Sequence, residues 1–368
     1  MTIGVAILGS TGSIGTSALR VLARHRDQFR VLALTANDSA DLLERQARET
    51  CAEFVGLVRA RGEACLVEAA THPGVHIVIN AVVGAAGLPA TLAALDAGRR
   101  VALANKETLV MAGDLVQERA RRGGGEIVPV DSEHSAVLQC LAGAGAATLR
   151  RLILTASGGP FRDWPAERVS RATVEQALNH PTWRMGRKVT VDSATLVNKA
   201  LEVIEAHFLF GLSYDAIDVV VHPQSIVHAM TEFADGSILA QMGFPTMELP
   251  ILYALTHPRR LPDQGVTRFD PLTAGPLTFE PVRDDVFPAF RLGVMAGARG
   301  GLAPAVFNAA NEVAVDAFLE GRIAFGRIAD AIQRALDRHQ DDGRPALDLA
   351  TVLEADGRAR AEAEAACC

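Results

Sequence analysis

The sequence has few cysteines, few aromatic residues and no excess of basic residues. Its 368 residues include five cysteines, and none stands in a Cys-x-x-Cys or Cys/His spacing of the zinc-binding type, so we expect free thiols in a reducing compartment. Aromatic residues make up only 5%, which favours packed α/β layers over a β-sandwich. Because 36 basic residues face 43 acidic ones, general binding to nucleic acid or anionic membranes is not expected.

No long hydrophobic run is uninterrupted, although hydrophobic residues make up 49% of the chain. The N-terminus has no signal-peptide character, since Ile3–Leu8 is only a strand-length apolar run and the first basic residue is Arg20. The segment Val75–Ala97 is apolar, but it reads as a strand, a loop and a helix. The residues that break it are Asn80, Gly84, Gly87 and Pro89. We therefore expect a cytoplasmic protein without membrane contact.

The first ~130 residues alternate short β-branched runs with helical patterns, which predicts a parallel, doubly wound sheet of the Rossmann-like kind. At ~150 residues per domain, the length suggests two or three domains. The predicted strands are Ile3–Leu8, Phe29–Leu34, Phe54–Val58, Val75–Asn80, Arg100–Ala104 and Ile127–Val130.

After Asp131 the pattern changes to a central α+β domain and then to a helical one. A long helix is predicted over Ala194–Phe210, and the segment carrying His222, Gln224 and His228 is predicted to separate two strands. The proline-rich stretch 258–288 reads as a linker. The predicted boundaries are 1–131 for the dinucleotide-binding domain, 132–257 for the catalytic domain with its metal and substrate sites, 258–288 for the linker and 289–368 for the helical domain.

The segment Gly9–Gly15 reads G-x-x-G-x-x-G between a predicted strand and a predicted helix. Glycines there let backbone N–H groups approach a pyrophosphate at the helix N-terminus. This context favours dinucleotide binding, and a bare structural turn is the alternative. An acid at the tip of the second strand would favour NAD and a basic residue NADP. Asp38 is acidic but lies one or two residues beyond the predicted tip, so the residues leave this choice open.

Three carboxylates are candidates for a metal site: Asp131, Glu133 and Glu202. In an extended chain Asp131 and Glu133 would face the same side. At an effective dielectric of ~20, each pair of carboxylates ~4 Å apart costs on the order of 4 kcal/mol, so such a cluster needs a proton or a cation. Oxygen ligands favour Mg²⁺ or Mn²⁺ over zinc. On spacing alone, acids in this pattern are more often solvated surface charges than metal ligands.

Polar residues also follow predicted strands and fill loops. The segment Asn105–Glu107 lies at the carboxyl edge of the predicted sheet, where ligands bind. The turn Ser157–Gly159 is either an anion site or only a turn. The loop His180–Gly186 is either a lid that excludes water or a loop anchored by Trp183. Ser193 is either a helix cap or a phosphate contact.

Together these segments resemble the 1-deoxy-D-xylulose 5-phosphate reductoisomerase family of the non-mevalonate isoprenoid pathway. The resemblance spans roughly positions 9 to 315. The segments that carry it are GSTGSIG, ANKETLV, PVDSEHSA, TASGGPFR, NHPTWRMGRKVTVDSATLVNKALEVIEA, HPQSIVHAM and NAANEVAV.

The resemblance implies an NADPH-dependent enzyme that rearranges and reduces 1-deoxy-D-xylulose 5-phosphate to 2-C-methyl-D-erythritol 4-phosphate. A divalent cation, Mg²⁺ or Mn²⁺ with Co²⁺ as a third candidate, would chelate the substrate oxygens. The rearrangement is expected to proceed by retro-aldol cleavage and re-addition. The resemblance also implies a homodimer.

The resemblance implies roles for particular residues as well. The implied metal ligands are Asp131, Glu133 and Glu202. The implied cofactor contacts are Thr11, Gly12, Ser13, Ile14, Asn37, Asn105, Glu107 and Gly186. The implied substrate contacts are Lys106, Ser132, Glu133, Ser157, His180, Ser193, Asn198, Lys199 and Glu202, among which Lys106 and Glu133 would handle protons. Residues implied to pack around substrate or nicotinamide are Trp183, Met185, His228, Pro245 and Met247.

One departure from the family and two rival functions remain. Many relatives carry a basic residue just after the second strand, whereas this chain has Asn37-Asp38-Ser39. A metal-independent NAD(P)-dependent dehydrogenase of a phosphorylated aldehyde would not need three convergent acids. A catalytically silent dinucleotide-sensing protein would keep the glycine turn and lose the acids and lysines.

Overall fold

The computed structural model describes residues 2–143, 148–340 and 348–368. The first part of the chain alternates strands and helices. Its elements are β1 (Ile3–Leu8), α1 (Ser13–Arg24), β2 (Phe29–Ala36), α2 (Ala40–Thr50), β3 (Phe54–Leu57), α3 (Val58–Arg61), α4 (Ala64–Thr71), β4 (Val75–Asn80), α5 (Leu88–Asp96), β5 (Arg100–Leu103), α6 (Lys106–Gly123), β6 (Glu126–Pro129) and α7 (Ser132–Leu141).

The second part has shorter strands and ends in helices. Its elements are β7 (Leu149–Ala156), α8 (Ala166–Val169), α9 (Val174–Leu178), α10 (Arg187–Ala194), α11 (Val197–Phe210), β8 (Ile217–Val221), β9 (Val227–Phe233), β10 (Ile238–Met242), α12 (Glu248–Thr256), β11 (Glu280–Pro281), α13 (Pro288–Arg299), α14 (Ala303–Leu319), α15 (Arg327–Arg338) and α16 (Leu349–Cys367). Residues 341–347, part of the predicted helical domain, lie outside the described residues.

By their contacts the described residues form two compact units. The first comprises Met1–Thr108, Val116–Ala142 and Thr246–Arg268, and the second comprises Leu109–Leu115, Gly143–Pro245 and Phe269–Cys368. This division is based on contacts between residues and does not test where functional domains begin and end. The functional boundaries predicted at 131, 257 and 288 therefore stay predictions, although the predicted linker is divided between the two units.

The first unit is a six-stranded parallel sheet in the order β3-β2-β1-β4-β5-β6. This is the doubly wound order, which brings the carboxyl ends of all six strands to one edge. Val5–Leu8 of β1 is fully buried, as expected for a central parallel strand covered on both faces. The predicted sheet is therefore confirmed.

Helix α12 belongs to the first unit, where it packs against α1 and α7. The sequence pattern does not indicate this helix. Seven of its nine residues are buried, so it has no polar face and hence no amphipathic period to detect.

The second unit contains a mixed sheet in the order β10-β9-β7-β8-β11. Strands β7 and β8 are parallel, whereas β9 pairs antiparallel with both β7 and β10. Helices α10, α11 and α13–α16 enclose one apolar core that includes Phe161, Ile204 and Phe307. The predicted α+β region and helical region are confirmed, and they share this core.

Two predicted elements differ from the structure. The helix predicted over Ala194–Phe210 is broken, because Leu196 adopts a left-handed conformation with φ 59° and separates α10 from α11. His228 lies on β9, not in a segment between strands. Among the described residues, no helix is both long and apolar enough to cross a bilayer.

Candidate active site

The glycine turn after β1 has the backbone geometry of a dinucleotide site. Gly9 has φ +81°, and a Cβ there would lie 2.7 Å from the carbonyl oxygen of Ala81. A Cβ on Gly15 would lie 2.4 Å from the carbonyl oxygen of Gly9. Gly12 is the N-cap of α1 and provides no side-chain cap, so the start of this helix is open to an anion. The turn therefore fits a pyrophosphate.

Two buried asparagines hold the loop that follows β4. Asn105 donates from Nδ2 to the carbonyl oxygens of Val82 (2.7 Å) and Gly84 (3.0 Å), and its Oδ1 caps α6 by accepting from the Thr108 N–H. Asn80 accepts the Val82 N–H at 3.2 Å. The role of Asn80 was missed by the sequence analysis, although a polar residue ending the apolar run of β4 is a detectable signal.

The carboxyl ends of β5 and β6 bring Lys106 and Asp131 together. The Lys106 Nζ lies 2.6 Å from the Asp131 Oδ2, and Glu133 accepts from the Ser132 hydroxyl at 2.6 Å. The premise of an extended segment is wrong: Asp131 is the N-cap of α7 and Glu133 lies in its first turn. Carboxylate oxygens of the two acids nevertheless lie within 4.8 Å of each other, and an oxygen pair of this kind suits a divalent cation.

In the second unit, three predicted site residues meet on one face of α11. Glu202 is 1% exposed and Lys199 4% exposed. The Lys199 ammonium donates to one Glu202 oxygen, and the Asn198 amide donates to the other at 2.5 Å. Both carboxylate oxygens therefore have donors, and the buried negative charge has a counter-charge.

Ser157 and His180 form a second contact in this unit. The Nδ1 of His180 accepts the N–H groups of Thr182 (3.1 Å) and Trp183 (2.8 Å), while its Nε2 lies 3.0 Å from the Ser157 Oγ. Burial lowers the pKa of His180 to about 4, so the ring is neutral near pH 7 and its one hydrogen sits on Nε2. Ser157 also accepts from the Gly159 N–H at 3.2 Å. Its own hydrogen is thus directed to a further acceptor, such as a phosphate.

The turn Ser157–Gly159 lies against the end of α10. Gly159 has φ +67°, and a Cβ there would come within 2.7 Å of the Ser193 carbonyl oxygen. Ser193 is 8% exposed and lies near the C-terminus of α10, so the cap role considered for it at the start of a helix is wrong. Gly186 is the N-cap of α10.

His228 and Trp183 are neighbours in the second unit, with ring centroids 6.3 Å apart. Burial, with smaller contributions from the charges of Lys199 and His222, lowers the pKa of His228 to about 4. A neutral ring beside an indole suits the apolar side of a ligand pocket. Whether the His180–Gly186 loop acts as a lid stays a prediction.

An acid lies at the tip of β2, and a base from the short helix α3, which follows the neighbouring strand β3, lies beside it. Asn37 and Asp38 directly follow β2 and are exposed. The carbonyl oxygen of Asn37 accepts the Arg59 N–H at 2.9 Å, which places exposed Arg59 beside this tip. Arg61, two residues further, is already engaged with Glu68 at 2.6 Å and with the ring of Phe54.

The predicted residues therefore fall into groups within each unit. The first unit holds Met247, the N-cap of α12, and the predicted residues of the glycine turn, the β2 tip and the β5 and β6 ends. The latter are Thr11, Gly12, Ser13, Ile14, Asn37, Asn105, Lys106, Glu107, Asp131, Ser132 and Glu133. The second holds Ser157, His180, Trp183, Met185, Gly186, Ser193, Asn198, Lys199, Glu202, His228 and Pro245. That Asp131, Glu133 and Glu202 ligate one ion stays a prediction.

A doubly wound parallel sheet with a glycine turn after its first strand defines an α/β protein of the dinucleotide-binding class. Family models match along the chain. The model of 1-deoxy-D-xylulose 5-phosphate reductoisomerase matches residues 5–62 and 56–113, and two models of its C-terminal domain match residues 127–210 and 242–362. The chain belongs to the 1-deoxy-D-xylulose 5-phosphate reductoisomerase family.

Curated relatives and solved structures agree with this membership. A 1-deoxy-D-xylulose 5-phosphate reductoisomerase from a Synechococcus species is 48% identical, covering 97% of this chain and 96% of the relative. One from Bacillus cereus is 46% identical, covering 97% of each. A DOX-P reductoisomerase in complex with NADPH, fosmidomycin and magnesium is 40% identical, with a TM-score of 0.93 over 99% of this chain and 98% of its own. The Zymomonas mobilis enzyme in complex with NADPH is 38% identical, with a TM-score of 0.88 over 99% of each chain.

Proposed function

We propose that this protein catalyses the NADPH-dependent rearrangement and reduction of 1-deoxy-D-xylulose 5-phosphate to 2-C-methyl-D-erythritol 4-phosphate, with a divalent cation chelating the substrate oxygens. The observation that carries the proposal is the likeness to named reductoisomerases over 97% of the chain at 46–48% identity. The charged and polar side chains needed for this chemistry support it.

The cofactor proposal rests on the open start of α1. Backbone N–H groups near Thr11, Gly12, Ser13 and Ile14 would hold the pyrophosphate. The loop that Asn105 fixes at the carboxyl edge would line the nicotinamide side, with Glu107 and Gly186 nearby. When bound, NADPH supplies the hydride for the aldehyde carbon that the rearrangement produces.

The metal proposal rests on the donor set. Asp131, Glu133 and Glu202 supply only carboxylate oxygens, which suits Mg²⁺, Mn²⁺ or Co²⁺. When bound, the cation polarises the substrate carbonyl. Lys106 contacts Asp131, and Lys199 contacts Glu202. A lysine ammonium group therefore lies beside each of these two carboxylates.

The chain's own residues would bind the phosphate and move protons. Ser157 would donate its hydroxyl hydrogen to the phosphate, with Ser193, Asn198 and neutral His180 completing the pocket. Lys106 would exchange a proton with the substrate oxygens, together with Glu133. Because the phosphate is remote from the reacting carbons, its binding energy orients the substrate and lowers the barrier.

We also propose a cytoplasmic homodimer whose ligand is a small phosphorylated sugar. The edge strand β10 supports the dimer: Ile238 is 49% exposed and Leu239 45% exposed, and an exposed apolar edge of this kind favours pairing with another copy.

The experiment that tests this function follows NADPH oxidation by absorbance, with 1-deoxy-D-xylulose 5-phosphate as substrate. We expect turnover with Mg²⁺ or Mn²⁺, none after EDTA treatment, recovery when the cation is restored, and slower oxidation of NADH. The product is identified by NMR as the branched polyol phosphate.

Either of two results would contradict this proposal and establish a different function. Turnover of a simple phosphorylated aldehyde that EDTA does not affect would establish the metal-independent dehydrogenase. NADPH binding without turnover of either substrate would establish a dinucleotide sensor.

The preference for NADPH is expected to depend on Arg59. It is the exposed cation beside the β2 tip, where the adenosine ribose lies in this fold, and it would bind the 2′-phosphate despite the acid at Asp38. Arg59→Gln should raise the Kd for adenosine 2′,5′-bisphosphate at least tenfold and leave the Kd for adenosine 5′-phosphate unchanged, as measured by calorimetry.

Arg61→Gln is the matched control, because it removes the same charge from the same short helix at a residue already engaged with Glu68. It should leave both Kd values unchanged. Equal losses for the two nucleotides in Arg59→Gln would place Arg59 away from the 2′-phosphate.

A further inference from the structure

A buried polar network joins α10 to α14 within the second unit. The side chain of Asp192, on α10, is 1% exposed, and its Oδ2 lies 2.9 Å from the Nζ of Lys188 one turn earlier. Its Oδ1 accepts from the Nδ2 of Asn311 at 2.8 Å. Asn311, on α14, is fully buried. The carboxylate is therefore held from its own helix and from a helix more than 100 residues later in the chain.

The network lies next to the residues proposed for the phosphate. Asp192 directly precedes Ser193, and Leu196 then makes the left-handed break before Asn198. The Thr195 hydroxyl donates to the Asp192 carbonyl oxygen at 3.1 Å and accepts the Val197 N–H at 3.3 Å. The orientation of α10 therefore determines where Ser193 and the start of α11 lie.

Stability alone does not account for a buried charge at this place. Apolar side chains of similar volume are often at least as stabilising as a buried ion pair, because the ions lose their hydration. A hydrogen-bonded charge does, however, fix one orientation where apolar packing would allow several. A negative charge beside a phosphate pocket is also unfavourable unless it is balanced, as Lys188 balances it here.

We propose that Asp192 and Asn311 are positioning residues for the phosphate pocket. They hold α10 in the orientation that presents Ser193 and Asn198 to the substrate phosphate. This inference rests on the proposed function, and it assigns to the segment NAANEVAV in the helical region a part in binding that phosphate.

The test removes the Asn311 donor and keeps the branched shape of its side chain. In Asn311→Leu, loaded with NADPH and Mg²⁺, we expect the KM for 1-deoxy-D-xylulose 5-phosphate to rise at least tenfold. The inhibition constant of inorganic phosphate as a competitor should rise by a similar factor. The Kd for NADPH should rise less, because α10 contributes only its N-cap, Gly186, to the proposed cofactor site. An inhibition constant does not depend on the fraction of active enzyme, so it separates altered positioning from partial unfolding.

Asn308→Leu is the matched control. Asn308 is equally buried on α14, one turn earlier, and donates to Glu312 of its own helix at 3.0 Å. Removing it should cost similar stability and leave the phosphate inhibition constant unchanged.

A reciprocal exchange provides a rescue. Asn311→Asp places two carboxylates face to face and should weaken phosphate binding further. Combining it with Asp192→Asn restores one hydrogen bond between the same positions, with the donor reversed. The double variant should recover most of the lost phosphate affinity.

A second variant applies if Asn311→Leu does not fold. Lys188→Met removes the counter-charge of Asp192 at a less buried position and should raise the inhibition constant of inorganic phosphate.

An unchanged phosphate inhibition constant in Asn311→Leu, or an equal rise in Asn308→Leu, would overturn the inference. Failure of the native protein to oxidise NADPH with this substrate would instead overturn the proposed function. In that case, calorimetric titration of inorganic phosphate into the same variants decides the positioning role.

Discussion

Glu202→Gln is expected to lower kcat about a thousandfold and to leave the Kd for NADPH unchanged. The amide keeps the shape of the carboxylate but has no charge, so a proposed metal ligand is lost. The substitution also leaves Lys199, which is 4% exposed, as a buried cation without its counter-charge. A thousandfold loss corresponds to about 4 kcal/mol of transition-state stabilisation, which is within the several kcal/mol that a Lewis-acid cation supplies.

The measurement is kcat as a function of Mg²⁺ concentration, with NADPH binding followed by fluorescence. The activation midpoint should move to higher Mg²⁺. Glu312→Gln is the control: Glu312 is another mostly buried helical carboxylate, 13% exposed and 2.5 Å from the guanidinium of Arg360. The control should lose thermal stability and keep the Mg²⁺ midpoint. Native turnover by Glu202→Gln would remove Glu202 from the ligand set.

The parallel sheet was predictable because its signals are local. Buried strands such as Ile3–Leu8 are short apolar runs, and the glycines after β1 mark the turn that follows. Helix α12 and strand β9 were missed because both are enclosed, so neither shows the polar face that a period-based prediction needs. The break at Leu196 could not be predicted, since a left-handed leucine is set by its surroundings and not by its own preference.

The sequence predicted the residue types of the candidate site but not the contacts between them. The residue types at Asp131 and Glu133 indicated an oxygen-ligand site, although the assumed extended geometry was wrong. Contacts between distant residues leave no local signal in the sequence. Asn311 and Asp192 are 119 positions apart, and neither stands in a pattern that indicates its partner. The tautomer of His180, which directs the hydrogen of Ser157, likewise follows from two loop N–H groups that only the folded chain brings together.

Gly15→Ala is expected to abolish dinucleotide binding and to destabilise the protein by on the order of 3 kcal/mol. The added Cβ would lie 2.4 Å from the Gly9 carbonyl oxygen and 2.5 Å from the Ser10 Cα. Both are backbone atoms, so no side chain can rotate to relieve the contact. Either α1 or the end of β1 must move, and the turn loses its shape. Urea denaturation measures the stability, and titration with NADPH measures the binding.

Gly12→Ala separates the binding role of the turn from its structural role. Gly12 has φ −74°, which alanine adopts without strain, and a Cβ there would meet only the Gly9 carbonyl oxygen, at 3.4 Å. The fold should therefore keep its native stability. The Kd for NADPH should nevertheless rise at least tenfold, because the methyl group occupies the space through which the backbone approaches the pyrophosphate. If Gly12→Ala bound NADPH with native affinity, the pyrophosphate would lie elsewhere, and the loss in Gly15→Ala would then reflect unfolding alone.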